Sequence, residues 1–231
     1  MHVRVKICGI TNVEDALLAA ELGADAIGLN FFQGSARCIA LEKAAEICNE
    51  LPPFVEPIAL FVNESMPRIE ATAKELGIKT VQIHADAHQP FDTYAVKWIP
   101  AFAVEEEADL VAIPALFKKW GLSEWSPYDP ESCGDPDTPV LCHMPAAILV
   151  DAHVPGMHGG TGKTAPWHLL ANFKPGVPMI LAGGLTPENV AEAIRIAKPY
   201  AVDVASGVEL SPGKKDADKM RRFIDAVRNA Q

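Results

Sequence analysis

The chain has 231 residues, 49% of them hydrophobic, so it is long enough and apolar enough to bury a sizeable core. Its formal net charge of −10 argues against a nucleic-acid surface and against binding to an anionic membrane. The five cysteines contain no CxxC pair, which argues against a structural zinc site, and a disulfide scaffold is not expected in a chain of this size.

Short apolar runs predict eight strands, at residues 3–8, 25–30, 57–62, 79–83, 96–104, 146–151, 177–182 and 200–205. Helical periodicity falls between them, at residues 12–22, 41–51, 65–76, 105–120, 187–197 and 216–229. Strands that alternate with helices predict parallel βαβ units, and eight such units close as a (β/α)8 TIM barrel. We expect one α/β domain over residues 1–231, with a proline-rich loop excursion at about 122–145.

Turn and capping residues support these boundaries. Thr11 and Glu14 have the spacing of a capping box at the start of the first helix, and Gly23 is placed to end it. Thr186 followed by Pro187 predicts the start of the helix after the seventh strand.

The start of the chain does not resemble a signal peptide, because Met1 and His2 run directly into a predicted strand. No apolar run reaches the ~18–20 residues that a membrane helix needs. We therefore expect a soluble, cytoplasmic protein.

Two residues at predicted strand ends are candidate acid–base groups. Cys8 lies on the opposite face of the first strand from the apolar residues Val5 and Ile7. In a barrel this face is the interior, and Cys8 stands at the catalytic end of the strand. Asp151 ends a buried strand, where a carboxylate is costly unless it has a partner or a task. The alternatives are a buried structural cysteine and a helix-capping or solvated aspartate.

Glycine turns after the last two strands predict an anion site. Gly183 and Gly184 follow the seventh strand, and Ser206 and Gly207 follow the eighth. Phosphate-binding barrels hold their anion at these two loops, where free backbone N–H groups point at the ligand. Either turn alone is ordinary turn chemistry, but the two together favour a phosphate ligand.

A second glycine-rich segment follows Asp151. Its end, GKT at residues 162–164, resembles the close of a nucleotide phosphate loop, but Met157 stands where that pattern requires glycine. We interpret Gly159, Gly160 and Gly162 as part of a lid over the substrate; the alternative is a plain long turn.

Three more polar residues lie at strand ends or in the loops beyond them. Arg37, after the second strand, suits a carboxylate or an aromatic ring, although a solvated loop arginine is the simpler interpretation. His84 ends the fourth strand and is either a substrate ligand or a structural histidine. Asp203, in the eighth strand, is a candidate functional carboxylate for the same reason as Asp151, with the same alternatives. No cluster has metal-ligand spacing, and no Ser/His/Asp set predicts acyl transfer.

Several motifs together resemble the phosphoribosylanthranilate isomerase family over nearly the whole chain. They are KICGIT at residues 6–11, FVN at 61–63, VQIH at 81–84, GGTGKT at 159–164, AGGLTPENV at 182–190 and DVASGVE at 203–209.

The resemblance implies a barrel of the ribulose-phosphate-binding type that carries out an Amadori rearrangement of N-(5-phosphoribosyl)anthranilate. It implies that Asp151 is the general acid, Cys8 the general base, and Arg37 the ligand of the anthranilate moiety. It gives Asp203 a positioning role and makes His84 a substrate-binding residue. The expected partner is a small phosphorylated substrate, with no cofactor and no metal, and the protein is expected to be a monomer or a homodimer.

The motifs depart from the family pattern at three places, which are Ala85-Asp86-Ala87, Ala165-Pro166 and Ala205. A related histidine-pathway isomerase performs the same rearrangement with an aspartate where Cys8 stands, and indole-glycerol-phosphate synthase needs lysines that the second and third strand ends lack. The alternative from another class is a non-catalytic or diverged sugar-phosphate-binding barrel.

Overall fold

The computed structural model describes residues 2–85, 95–119, 145–152 and 167–230. Eight parallel strands form a closed barrel in sequence order, and the first strand pairs with the eighth. The strands are β1 (Arg4–Cys8), β2 (Ala26–Asn30), β3 (Glu56–Val62), β4 (Thr80–His84), β5 (Lys97–Val104), β6 (Ile148–Ala152), β7 (Met179–Leu181) and β8 (Ala201–Val204). The helices are α1 (Val13–Leu22), α2 (Leu41–Glu50), α3 (Met66–Leu76), α4 (Glu107–Lys119), α5 (Trp167–Leu170), α6 (Val190–Ala197) and α7 (Ala217–Asn229). The predicted barrel is confirmed.

Side chains pack in two layers, one on each face of the barrel wall. Val5 and Ile7 belong to the large outer core between the strands and the helices. A smaller inner core includes Ile58, Leu149 and Ile180. Because successive residues of a strand alternate between these faces, the parity predicted from the sequence selects which residues reach the barrel interior.

Two predicted helix starts are wrong. The N-cap of α1 is Asn12, whose side chain accepts a 2.8 Å hydrogen bond from the N–H of Asp15. Thr11 instead donates its hydroxyl to the carbonyl of Gly213. The helix predicted from residue 187 begins at Val190, because the residues before it form a turn. The predicted stop at Gly23 is confirmed, with φ at 101°.

A short antiparallel ribbon after the barrel was not predicted. It comprises β9 (Glu209–Ser211) and β10 (Lys214–Lys215), and a 3-10 turn at Ser206–Val208 leads into it. The N–H of Lys215 donates to Asp15 over 2.9 Å, so the ribbon is tied to the first turn of α1. The ribbon therefore lies beside the carboxyl end of β1.

The predicted lid, and the predicted excursion apart from Pro145, fall outside the described residues. Among the helices of the described ranges, none is long and apolar enough to cross a membrane.

Candidate active site

A cleft at the carboxyl ends of the strands holds the polar side chains of the barrel mouth and encloses about 620 Å³, part of it open to solvent. It brings together nine of the residues predicted from the sequence, namely Cys8, Arg37, His84, Asp151, Gly183, Gly184, Asp203, Ser206 and Gly207. The three lid glycines, Gly159, Gly160 and Gly162, lie outside the described residues. The catalytic end of a (β/α)8 barrel is where such a cleft is expected.

Cys8 is the last residue of β1 and is 6% exposed, with its side chain in the cleft. It packs against Gly28 in the neighbouring strand, where an added Cβ would lie 2.7 Å from the sulfur. The absence of a side chain at Gly28 therefore makes room for the thiol. The inward orientation predicted from parity is confirmed.

A buried ion pair lies beside the thiol. The Lys6 ammonium donates to the Asp203 carboxylate over 2.8 Å, and both side chains are less than a tenth exposed. Burial is the largest single influence and disfavours the charged form of Lys6, but the charge and hydrogen bond of Asp203, together with those of Cys8, outweigh it and raise the pKa of Lys6. Asp203 is thus an anchor for Lys6, which agrees with a positioning role.

Burial raises the pKa of the Cys8 thiol, and the negative charge of Asp203 raises it further. The positive charges of Lys6 and Lys215 act in the opposite direction without cancelling the shift. A thiol that serves as a base needs its thiolate form. The thiolate is therefore stabilised in part by two buried cations but remains the minor form at neutral pH.

Asp151 is the fourth residue of β6 and its half-buried side chain lines the cleft. Leu149, which has the same parity, belongs to the inner core, whereas Val150 belongs to the outer core. The carboxylate is therefore placed on the interior side at the strand end. This placement favours the functional interpretation over that of a solvated loop residue.

Arg37 is not a solvated loop arginine, because its guanidinium is held by two hydrogen bonds to Glu209. Nε donates to Oε1 over 2.9 Å and Nη2 to Oε2 over 2.7 Å, which is the bidentate geometry of a strong charge pair. The stem of Arg37 lies against Gly9, where an added Cβ would be 2.5 Å from its Cδ. Gly9 also has a φ of +74°, so both its backbone and its packing require glycine.

His84 ends β4 and lines the cleft with Gln82 from the same face of the strand. The side-chain amide nitrogen of Gln82 lies 2.8 Å from Nε2 of His84. The two side chains therefore hydrogen-bond to each other, with the donor set by the tautomer of the His84 ring. Gln82 is 2% exposed and its Oε1 accepts no hydrogen bond within the described part of the chain.

The two glycine turns meet at one wall of the cleft. Gly183 and Gly184 both have positive φ angles, of 87° and 61°. An added Cβ at Gly207 would lie 1.9 Å from the carbonyl oxygen of Leu185, so the two loops touch only because residue 207 is glycine. Asn189 supports the first loop by donating to the carbonyl of Gly184 over 2.9 Å.

Gln82, which lines the cleft, and Glu209 and Lys215, which contact residues that line it, were not among the predicted residues. Gln82 lies within the VQIH motif and Glu209 ends the DVASGVE motif, so both belong to segments that the sequence analysis singled out. Lys215 gave no such signal, because the Lys214–Lys215 pair looks like any solvated charge run. No group of three or more His, Cys, Asp or Glu side chains that could hold a metal ion occurs among residues 2–85, 95–119, 145–152 and 167–230.

Known proteins share both the sequence and the fold of this chain. Residues 5–119 and 131–226 match the family model described as N-(5'phosphoribosyl)anthranilate (PRA) isomerase. The N-(5'-phosphoribosyl)anthranilate isomerase of Pelobacter propionicus is 42% identical over 223 residues, covering 96% of this chain and 94% of the relative. A crystal structure of phosphoribosyl anthranilate isomerase from Thermotoga maritima matches with a TM-score of 0.80 at 35% identity, covering 98% of this chain and 99% of that one.

A further crystal structure shows phosphoribosyl anthranilate isomerase in complex with reduced 1-(o-carboxyphenylamino)-1-deoxyribulose 5-phosphate. It matches with a TM-score of 0.77 at 34% identity, over 98% of this chain and 99% of that chain.

Proposed function

This chain belongs to the N-(5'-phosphoribosyl)anthranilate isomerase family and is an isomerase of tryptophan biosynthesis, and we propose that Asp151 and Cys8 are the general acid and the general base of its reaction. The reaction is the Amadori rearrangement of N-(5-phosphoribosyl)anthranilate to 1-(2-carboxyphenylamino)-1-deoxyribulose 5-phosphate. The observation that carries the proposal is the placement of a thiol and a carboxylate in one cleft, at the ends of β1 and β6.

Asp151 protonates the furanose ring oxygen as the C–O bond at the anomeric carbon breaks, which opens the ring to a protonated Schiff base. Cys8, as thiolate, then removes the proton from the adjacent sugar carbon. The bonding electrons flow into the iminium, which gives an enolamine that tautomerises to the ketone. Because the iminium accepts these electrons, the chemistry requires neither a metal nor an organic cofactor.

The remaining side chains bind and orient the substrate. The substrate phosphate is proposed to lie against the backbone amides of Gly183, Gly184, Ser206 and Gly207, because two loops converge there with glycines at their closest approach. The anthranilate carboxylate is proposed to bind Arg37, whose position is already held by Glu209. His84 is placed to contact the sugar, and Asp203 acts through Lys6.

We further propose a lid that includes Gly159, Gly160 and Gly162, a single domain over residues 1–231, and a cytoplasmic location. The proposed partner is the small phosphorylated substrate, without nucleic acid or membrane, and the chain is proposed to act as a monomer or homodimer. Light scattering on the purified protein distinguishes these two states.

The fluorescence of phosphoribosylanthranilate allows its consumption to be followed directly. We expect the wild-type protein to consume it, Cys8→Ala to abolish turnover, and Cys48→Ala to retain it, because Cys48 is a half-buried cysteine on α2 that does not line the cleft. Loss of a general base costs ~10²–10⁴-fold in rate. A wild-type protein that binds the substrate without consuming it would instead favour a non-catalytic sugar-phosphate-binding barrel.

A further inference from the structure

Lys215 is a buried charge beside the cleft, and the acid–base mechanism does not use it. Its side chain is 0% exposed, and its ammonium makes three contacts at once. It donates to the carbonyl of Cys8 over 2.6 Å, to the carbonyl of Ala205 over 3.2 Å and to Oε1 of Glu209 over 2.8 Å. Three donors with three acceptors leave this ammonium fully satisfied.

These contacts join three separate parts of the site. The carbonyl of Cys8 is the end of β1, and the carbonyl of Ala205 lies between β8 and the glycine turn. Glu209 is the residue that holds the Arg37 guanidinium in its bidentate geometry. One buried cation therefore contacts the proposed base and the phosphate loop directly, and the anthranilate ligand through Glu209.

The charge balance explains why the ammonium is needed. If Glu209 paired with Arg37 alone, the pair would carry no net charge, because one carboxylate neutralises one guanidinium. With Lys215 added, the cluster of Lys6, Arg37, Lys215, Asp203 and Glu209 contains three cations and two carboxylates. Not counting Asp151, which lines the same cleft, the cluster carries one excess positive charge, and this charge favours an anion beside it, either the thiolate or the substrate carboxylate.

We propose that Lys215 is a positioning residue that places the end of β1 and, through Glu209, fixes the guanidinium of Arg37 while favouring the thiolate of Cys8. This inference rests on the proposed function for its effect on substrate binding, but its effect on the thiol can be measured without substrate.

The charged groups around Cys8 come from four parts of the chain, namely Lys6 on β1, Asp203 on β8, Lys215 on β10 and Arg37 after β2. Asp151 and His84 line the same cleft. Lys6 remains when Lys215 is changed, so removing Lys215 lowers the positive charge near the thiol without eliminating it.

The first experiment compares Lys215→Met with Lys214→Met. Lys214 is the exposed neighbour on the same strand, so the control makes the same chemical change outside the cleft. The pH dependence of Cys8 alkylation by iodoacetamide is followed by peptide mass spectrometry, with no substrate present. We expect Lys215→Met to raise the midpoint by about one pH unit or more, as for loss of a nearby opposite charge, and Lys214→Met to leave it unchanged.

The second experiment uses Glu209→Gln, which keeps the side-chain volume but removes the charge that holds Arg37. We expect KM for phosphoribosylanthranilate to rise about tenfold or more with kcat within about threefold, because a charge-assisted hydrogen bond to Arg37 is lost. The alkylation midpoint of Cys8 should not rise, since removing the negative charge of Glu209 leaves the cluster around the thiol more positive.

These variants distinguish a positioning role of Lys215 from a contribution to folding stability alone. A folded Lys215→Met protein with the wild-type alkylation midpoint overturns the proposal, whatever its melting temperature. If Lys215→Met does not fold, an unchanged KM in Glu209→Gln overturns it. A wild-type protein without turnover would refute the proposed function alone, because the alkylation midpoints still decide the effect of Lys215.

Discussion

Gly28 on β2 is the residue against which the Cys8 thiol packs, and one added methyl group tests how closely the base must be placed. In Gly28→Ala the new Cβ would lie 2.7 Å from Sγ and 3.0 Å from Cα of Cys8. Ordinary contact begins near 3.4 Å, so the sulfur must move by about 0.7 Å, and the backbone atom behind it leaves little room for relief. A misplacement of about 1 Å costs up to about 10²-fold in rate.

We therefore expect kcat of Gly28→Ala to fall by about 10–100-fold while KM stays within about threefold, because the phosphate and anthranilate ligands are untouched. Overpacking should also lower the free energy of unfolding by about 1–3 kcal/mol, measured by urea denaturation.

Gly77→Ala is the control, because it carries a positive φ of +67° but has no atom within 4 Å of the added Cβ. Gly77→Ala should lower the free energy of unfolding without reducing kcat. It therefore separates a general loss of stability from a displacement of the Cys8 thiol. A Gly28→Ala enzyme with kcat within a factor of two of wild type would refute the placement of Cys8 as the base.

Three further changes test other parts of the site. Asp151→Asn should abolish turnover, measured by substrate fluorescence, because a nearly isosteric amide cannot protonate the ring oxygen; full activity, or loss of wild-type activity with EDTA, would contradict the mechanism. Arg37→Ala should raise KM more than it lowers kcat, since a carboxylate ligand contributes largely uniform binding; a collapse of kcat at constant KM would place Arg37 in the chemistry instead. Cys8 must be deprotonated and Asp151 protonated in the reactive complex, so kcat/KM should fall at both ends of the pH range, and burial, which raises the pKa of Cys8, moves the Cys8 limb above the ordinary thiol range; a rate that rose continuously with pH would contradict the pair.

The residues predicted from the sequence share one property: the residues next to them in the chain indicate their positions in the fold. Cys8 and Asp151 were recognised because strand parity and strand ends are readable within a few residues. Gly183 and Gly207 were recognised because each follows a buried strand directly. Closure of the barrel then brings all strand ends to one rim, so a correct topology implies a correct cleft.

The capping error at the first helix shows the limit of that local reasoning. Thr11 and Asn12 are both good N-cap residues, and the sequence offers no way to choose between them. The choice is made by Gly213, whose carbonyl binds the Thr11 hydroxyl from 202 residues away. A local preference was therefore decided by a distant backbone atom.

The sequence by itself determined the barrel, the rim at which its cleft lies and the position of the proposed acid–base pair, because these follow from periodicity and from motifs a few residues long. Only the tertiary structure decided what surrounds that pair. Lys6 meets Asp203 across 197 residues, Arg37 meets Glu209 across 172, and Lys215 meets Cys8 across 207. Each contact exists because β8 closes against β1 and the ribbon after it folds over the rim, and a charge acts on whatever lies within a few ångströms, irrespective of separation along the chain.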